Sequence, residues 1–298
     1  MKKKLVKKED SEVTIMIPTF NRSGYLQEAI ASAMAQTYPC HIIVCDHGST
    51  DDTPQVMKKY KTDVTYIRRE EDFGPHFCWL DGVLHSKTKY VKILYDDDWI
   101  EPTFVEKTLA LMKDDVSCVI TNANICFESG KDRRVTKSIF FNKTGIFSNF
   151  IIQSELLLLG GVISPSAVLF RREELIDGIY QGRLWKKGGN YYHGVGPDMF
   201  VMLLGFLRYP KIGFINEELA TFRAHDKSIT MDAKKESGKS NSIQSAYEDV
   251  IEFYTFVKWF KVFKVFYTFS IVRLMRKVLR KNLEIVKRIA KIILGNMT

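Results

Sequence analysis

Three consecutive carboxylates, Asp96-Asp97-Asp98, follow the apolar run Ile93-Leu94-Tyr95 and precede Trp99. Adjacent negative charges repel one another unless a cation sits among them. Hard divalent ions such as Mg²⁺ or Mn²⁺ suit these oxygen donors, and a bound diphosphate would complete the shell. The plain alternative is a solvated acidic turn that caps the next helix. Asp46 could accept hydrogen bonds from a ribose or a base edge, or simply shape the turn Asp46-His47-Gly48-Ser49-Thr50-Asp51. Asp198 follows Gly196-Pro197 at an expected helix start, where an Asp is either an N-cap or a positioned general base. His225, in the polar string Phe222 to Ser228, is either an ordinary surface histidine or a metal ligand. Arg68, Arg69 and Arg223 could add positive charge for phosphates, the first two reading first as surface charges.

Strands and helices must bring these groups together. Val13–Ile17, His41–Cys45, Val64–Ile67, Tyr90–Tyr95, Val116–Ile125 and Ser164–Phe170 are short apolar runs rich in β-branched residues, and read as strands. Gly24–Gln36, Asp52–Tyr60 and Pro75–Ser86 suit helices, as do a segment after Glu101-Pro102 and Asp198–Leu207. Such alternation predicts an α/β protein with a mainly parallel central sheet covered by helices on both faces. Open sheets of this kind bind ligands at the carboxyl ends of their strands. There the sequence places Pro18-Thr19-Phe20-Asn21, Asp46 to Ser49, and Asp96 to Asp98. No GxGxxG follows the first strand and no GxxxxGK[ST] occurs, so dinucleotide-binding and P-loop readings lose their main support. Asp177–Pro197, rich in Gly and aromatics, is long enough to serve as a lid or binding loop.

Charge position narrows the partners. The 298 residues include 44 Lys+Arg and 35 Asp+Glu, a formal +9. Between Lys258 and Lys291 lie eleven bases and one acid, Glu284, while the rest of the chain has 33 bases and 34 acids. A near-neutral body disfavours a generally basic nucleic-acid-binding domain. Five scattered cysteines with no CxxC pair read as reduced thiols. The basic start, Met1 to Asp10, has no apolar run behind it and predicts no secretory signal. Phe256 to Val272, the longest apolar candidate, is broken by Lys258, Lys261 and Lys264 and falls short of the ~18 residues a span needs.

The strings VTIMIPTFNR, IIVCDHGSTDDT and KYVKILYDDDWIEP, at their spacing here, resemble the nucleotide-diphospho-sugar-binding core of family 2 glycosyltransferases of the GT-A type. The resemblance runs from about Glu12 to Met231. It implies inverting transfer of a sugar from a nucleotide donor with a divalent metal, Mn²⁺ or Mg²⁺. Pro18, Thr19 and Asn21 match nucleotide contacts after the first strand, and Asp46 and Arg223 join that nucleotide-sugar set. Asp97 matches the acid nearer ribose and phosphate, and Asp98 the direct metal ligand. His225 matches the second metal ligand, within an H-x-x-S string ending at Ser228, and Asp198 matches the catalytic base. Departures are His47 where a second acid is common, Tyr95 where many members have the first acid of a longer motif, and Trp79-Leu80 where a basic group is common. These leave the donor base open.

The expected organisation is a basic tail over 1–11, a GT-A domain over 12–231, a linker over 232–242, and C-terminal basic amphipathic helices over 243–298. From Arg273 to Lys291 the charges fall within about 140° of a helical wheel, with an aromatic-rich stretch before them. That pattern predicts a segment lying on an anionic membrane surface, each base contributing on the order of 1 kcal/mol. A helix packed on a partner is the alternative. The expected protein is cytoplasmic and peripheral on the inner face of the cell membrane, with a glycan or lipid-linked acceptor. Its rivals are a sugar-phosphate nucleotidyltransferase and a non-catalytic membrane- or nucleic-acid-binding protein.

Overall fold

The computed structural model describes residues 7–129, 132–138, 142–150, 152–153, 163–179, 195–225 and 243–259. Most of the expected lid, the linker, and the amphipathic segment past residue 259 lie outside the described residues. The chain divides into two compact units, residues 1–251 and 252–298.

Strands β1 (Val13–Thr19), β2 (His41–Asp46), β3 (Thr65–Arg68) and β4 (Tyr90–Ile93) form a parallel half-sheet in the order β3-β2-β1-β4. Every residue of β1 is buried, which explains why its sequence is a continuous apolar run and not an alternating one. Helices α1 (Ser23–Met34), α2 (Thr53–Met57) and α3 (Pro75–His85) make the crossovers. Side-chain alternation along β1 sorts the two faces. Val13, Ile15 and Ile17 join Leu26, Ala29, Ile30 and Ala33 of α1 in the main core. Met16 and Cys45 face α3, where Gly82 allows close packing. A Cβ on Gly82 would fall 2.5 Å from Met16 Cγ and 2.7 Å from Cys45 Sγ.

Beyond β4 the sheet continues as β9-β6-β10-β5. Strand β9 (Val168–Arg171) is antiparallel to both β4 and β6 (Val116–Ser129). Strand β10 (Lys211–Ala224) runs parallel to β6 and antiparallel to β5 (Trp99–Ile100). Strands β7 (Asp132–Ser138) and β8 (Gly145–Ser148) flank β6 and β10. Helices α4 (Phe104–Leu111), α5 (Arg172–Gly178) and α6 (Pro197–Arg208) complete this half. The result is a mixed α/β fold whose first half is the expected parallel sheet.

Strand β10 is the main element that pattern reading misses. Its register shifts between Ile215 and Glu218 and again between Glu218 and Ala220. Such bulges break the inside–outside alternation by which a strand is recognised. The five cysteines are buried and form no disulfide. Among the described residues, no helix is long and apolar enough to cross a membrane.

Candidate functional site

The carboxyl ends of β1, β2 and β4 meet at one edge, where the acidic triplet occupies the turn between β4 and β5. Leu94 still donates its N–H to Met16 O at 2.9 Å, so the chain stays in register with β1 until it turns. Asp98 N–H then closes on Tyr95 O at 3.1 Å. All three carboxylates are buried.

The cation that the triplet requires is Arg22. Its Nη1 lies 3.1 Å from Asp96 Oδ1 and 2.8 Å from Asp97 Oδ2. Burial opposes the guanidinium charge, but Asp96 and Asp97 outweigh it and raise the Arg22 pKa. Thr19 Oγ1 donates to Asp96 Oδ2 at 2.8 Å. Burial and the neighbouring Asp97 push Asp96 up to about 6, against Arg22 and the Thr19 hydroxyl. Lys92, fully buried on β4, donates to Ile93 O and Pro165 O at 3.1 and 3.0 Å. Burial drives its pKa well down, with Asp98 acting in the opposite direction.

Strand β10 closes the site from the far side. Arg223 N–H donates to Asp98 Oδ1 at 3.0 Å, and Arg223 Nε to Asp97 O at 3.0 Å. The Arg223 guanidinium lies between the rings of Tyr25 and Trp99, 4.8 and 4.9 Å from their centroids, and pairs with Glu28 at 2.5 Å. It is therefore engaged within the protein and braces the acidic turn. His225 Nε2 stands 3.1 Å from Asp97 Oδ2. Burial and Asp97 push the Asp98 carboxyl up to about 8.

Asn21 and Asp46 organise the neighbouring loops. Asn21 sits in the left-handed region at φ 53°, which Asn tolerates better than most residues. Its Oδ1 accepts from Thr50 N at 2.7 Å and Asp51 N at 3.2 Å, joining the loops after β1 and β2. Asp51 in turn accepts from Ser23 N at 2.9 Å and Thr53 N at 3.0 Å, serving the first turns of both α1 and α2. Burial works against those bonds, which nevertheless hold its pKa below the usual carboxylate range. Asp46 accepts from Ser49 N at 2.8 Å and from Tyr66 Oη at 2.5 Å, the turn-forming role its sequence context allows. Pro18 lies in β1 opposite Cys45. His47 stacks on Phe20 and bonds Asp72 at 2.6 Å. Arg68 donates to Ser49 O and Arg69 to Asp81, so both serve the fold locally.

Asp198 is the second residue of α6, and the cap position is Gly196 at φ 110°, a conformation that favours glycine. Asp198 Oδ1 accepts from Gly196 N at 3.1 Å and Met199 N at 2.9 Å. Burial holds the carboxyl above the usual range, opposed by those N–H groups and the Tyr247 hydroxyl. Tyr95 follows β4 and immediately precedes the triplet. Burial first, then the negative charges of Asp198, Asp98 and Asp97 among others, raise its phenol well above an ordinary tyrosine. Sequence reasoning missed Arg22, Lys92 and Tyr247, because their partners lie far along the chain.

Among the described residues, no group of three or more His, Cys, Asp or Glu side chains encloses one point as a metal cage. The Asp97–His225 approach of 3.1 Å matches the ~3 Å between neighbouring donors on an octahedral ion at ~2.1 Å. The pair fits two ligands of such a shell once Arg22 Nη1, 2.8 Å from the same Asp97 oxygen, gives way to the ion. Asp98, the acid expected to bind metal, accepts the Arg223 N–H on Oδ1.

An open mixed sheet with an acidic turn at the carboxyl end of its parallel strands defines a GT-A glycosyltransferase fold, and solved structures share it. TarS residues 1–349 of S. aureus matches with a TM-score of 0.56 at 17% identity, over 72% of this chain and 60% of that one. The mannosyltransferase PcManGT of Pyrobaculum calidifontis, in complex with GDP-Man and Mn²⁺, matches with a TM-score of 0.50 at 15% identity, over 81% of this chain and 68% of that one. The sequence model described as Glycosyl transferase family 2 matches residues 14–178. The chain belongs to glycosyltransferase family 2.

An uncharacterized glycosyltransferase of Rickettsia typhi is 26% identical over 245 residues, covering 79% of this chain and 71% of the relative. Chondroitin synthase of Escherichia coli is 33% identical over 119 residues, 38% of this chain and 17% of the synthase. The chain thus spans most of the first relative but under a fifth of the second. Neither the nucleotidyltransferase nor the non-catalytic alternative is favoured by these likenesses.

Proposed function

We propose that the protein transfers a sugar, with inversion, from a nucleotide-diphospho-sugar to an acceptor hydroxyl. The observation that carries this reading is the burial of carboxylates at two strand and helix ends: the triplet at Asp96–Asp98 after β4, and Asp198 at the start of α6. One would hold the donor diphosphate and the other would take the acceptor proton. The TarS fragment has been crystallised with UDP-GlcNAc, which supports a nucleotide-sugar donor.

Asp98 and His225 would hold a Mn²⁺ or Mg²⁺ ion, with Asp97 beside them toward the ribose and phosphate; PcManGT carries Mn²⁺. Such an ion supplies positive charge to the diphosphate leaving group. Pro18, Thr19 and Asn21 would shape the nucleotide pocket. Asp46 would fix the loop beside it, while Arg223 keeps the acidic turn in place. Asp198, its pKa raised by burial, would remove the proton from the acceptor hydroxyl as its oxygen attacks the anomeric carbon. Attack opposite the leaving group inverts that carbon in one displacement, so a single carboxylate base suffices.

A role in bacterial polysaccharide or glycolipid assembly, on the inner face of the cell membrane, fits the eleven bases and one acid between Lys258 and Lys291. The acceptor would then be a glycan or lipid-linked. Asp198→Asn tests the core of the proposal. With UDP- and GDP-sugars and Mn²⁺, the variant should lose nucleoside diphosphate release by about 10²-fold or more. Donor-induced thermal shifts should persist. Undiminished turnover would overturn the base assignment, and release of pyrophosphate from a sugar phosphate and a nucleoside triphosphate would favour a nucleotidyltransferase.

A further inference from the structure

Tyr247 Oη donates to Asp198 Oδ2 at 3.1 Å. It belongs to helix 243–259, well past residue 178, where the family match ends. An ionised carboxylate offers about four acceptor sites. Gly196 N–H and Met199 N–H use the two on Oδ1, and Tyr247 uses one on Oδ2. We infer that Tyr247 is a positioning residue for the base Asp198, fixing the carboxylate plane so that one Oδ2 lone pair is left for the acceptor hydroxyl. The inference rests on the reading of Asp198 as the base.

Two backbone N–H groups on one oxygen anchor Asp198 at a single point. The phenol adds a second point and sets the rotation about the bond between Cβ and the carboxyl. A neutral donor suits this place. Arg or Lys would also favour the ionised form, but a full positive charge lowers a carboxyl pKa by about one to three units and weakens it as a base. In the reaction the acceptor O–H bond breaks, its proton forms an O–H bond to Asp198 Oδ2, and its electron pair makes the new bond to the anomeric carbon, while the anomeric C–O bond to the diphosphate breaks and the nucleoside diphosphate leaves with that bond's electron pair. Tyr247 keeps its own proton throughout.

Among the described residues, the titratable groups near Asp198 come from the β4–β5 turn, helix 243–259 and α6. Tyr95, in the β4–β5 turn, and Asp198 influence each other electrostatically, and Asp97 and Asp98 act on the same tyrosine. Helix 243–259 adds Glu248 and the buried Asp249, which as i+1 and i+2 neighbours do not share Tyr247's face of the helix. On α6, Arg208 lies ten residues on, roughly 15 Å along the axis, and pairs there with Glu174 of α5. A hydrogen bond donated to the charged form favours that form, so losing it moves Asp198 upward in pH.

The test is a carboxyl ¹³C titration of the full chain with labelled aspartate, the Asp198 resonance being the one absent from Asp198→Asn. Tyr247→Phe should raise the Asp198 midpoint by about one pH unit. It should move the acid limb of nucleoside diphosphate release the same way, with KM for the donor unchanged. Tyr247→Gln, which keeps an N–H donor, should return the midpoint toward the wild type. An unmoved midpoint and acid limb in a folded Tyr247→Phe protein overturn the inference. If the Phe variant fails to fold, the Gln variant decides: a wild-type midpoint with retained turnover supports the role, and a raised one overturns it. Full turnover in Asp198→Asn would instead sink the base reading, whatever the titration shows.

Discussion

Replacing Asp98 by Asn removes a buried acid while keeping its shape. In the wild type that carboxyl titrates at about 8 because burial and Asp97 penalise its charge. In the unfolded chain it titrates near 3.9. Between those values the folded protein holds a proton that the unfolded chain has released. Stability therefore falls as pH rises, by about 1.4 kcal/mol per unit for one proton. Asn does not titrate and stands in for the protonated acid. Unfolded with urea in chelator at pH 5, 6 and 7, the Asn variant should gain on the wild type by about 2.7 kcal/mol across the range. Lys92 trims this, since a charged Lys92 near a charged Asp98 offsets part of the penalty. Half the slope would still leave more than ~1 kcal/mol, several times the usual uncertainty of a midpoint comparison. A difference that stays flat from pH 5 to 7, or that shrinks, would refute the account of Asp98 as a buried acid paid for by protonation.

Gly82→Ala should destabilise the fold by about 1–2 kcal/mol. The new methyl meets Met16 Cγ and Cys45 Sγ inside contact distance, an overpacking cost of roughly 1–3 kcal/mol that exceeds the ~1 kcal/mol of helix propensity gained. Thermal unfolding measures it, and a midpoint equal to or above the wild type's would show that α3 can shift freely. Deleting residues 260–298, which leaves Tyr247 in place, should move the protein from the pellet to the supernatant when mixed with phosphatidylglycerol vesicles. Retained sedimentation would dismiss the membrane role of the basic segment.

The parallel half of the fold was legible because β1, β2 and β4 are buried apolar runs between helices of ordinary length, and nothing non-local is needed to see them. The acids at their ends were legible for the same reason. What stayed hidden depends on distance along the chain. Arg22 stands in a loop of unremarkable composition, and only folding brings it to Asp96 and Asp97, 74 and 75 residues away. Lys92 reads as the polar position of a strand, yet it is fully buried against Ile93 and Pro165 carbonyls. Strand β10 hides behind its bulges. Asp198 was visible as a helix-start acid, but its partner is Tyr247, 49 residues further on.

The bond from Arg223 to Asp98 joins residues 125 positions apart. At a synthesis rate of roughly 5–20 residues per second, the acidic turn leaves the ribosome about 6–25 seconds before the strand that closes over it. During that interval Arg22, made earlier than the acids it neutralises, is already at hand to meet their charge. The nascent chain thus carries its own counterion, and the order of translation supplies the neutralising group before the groups that need it.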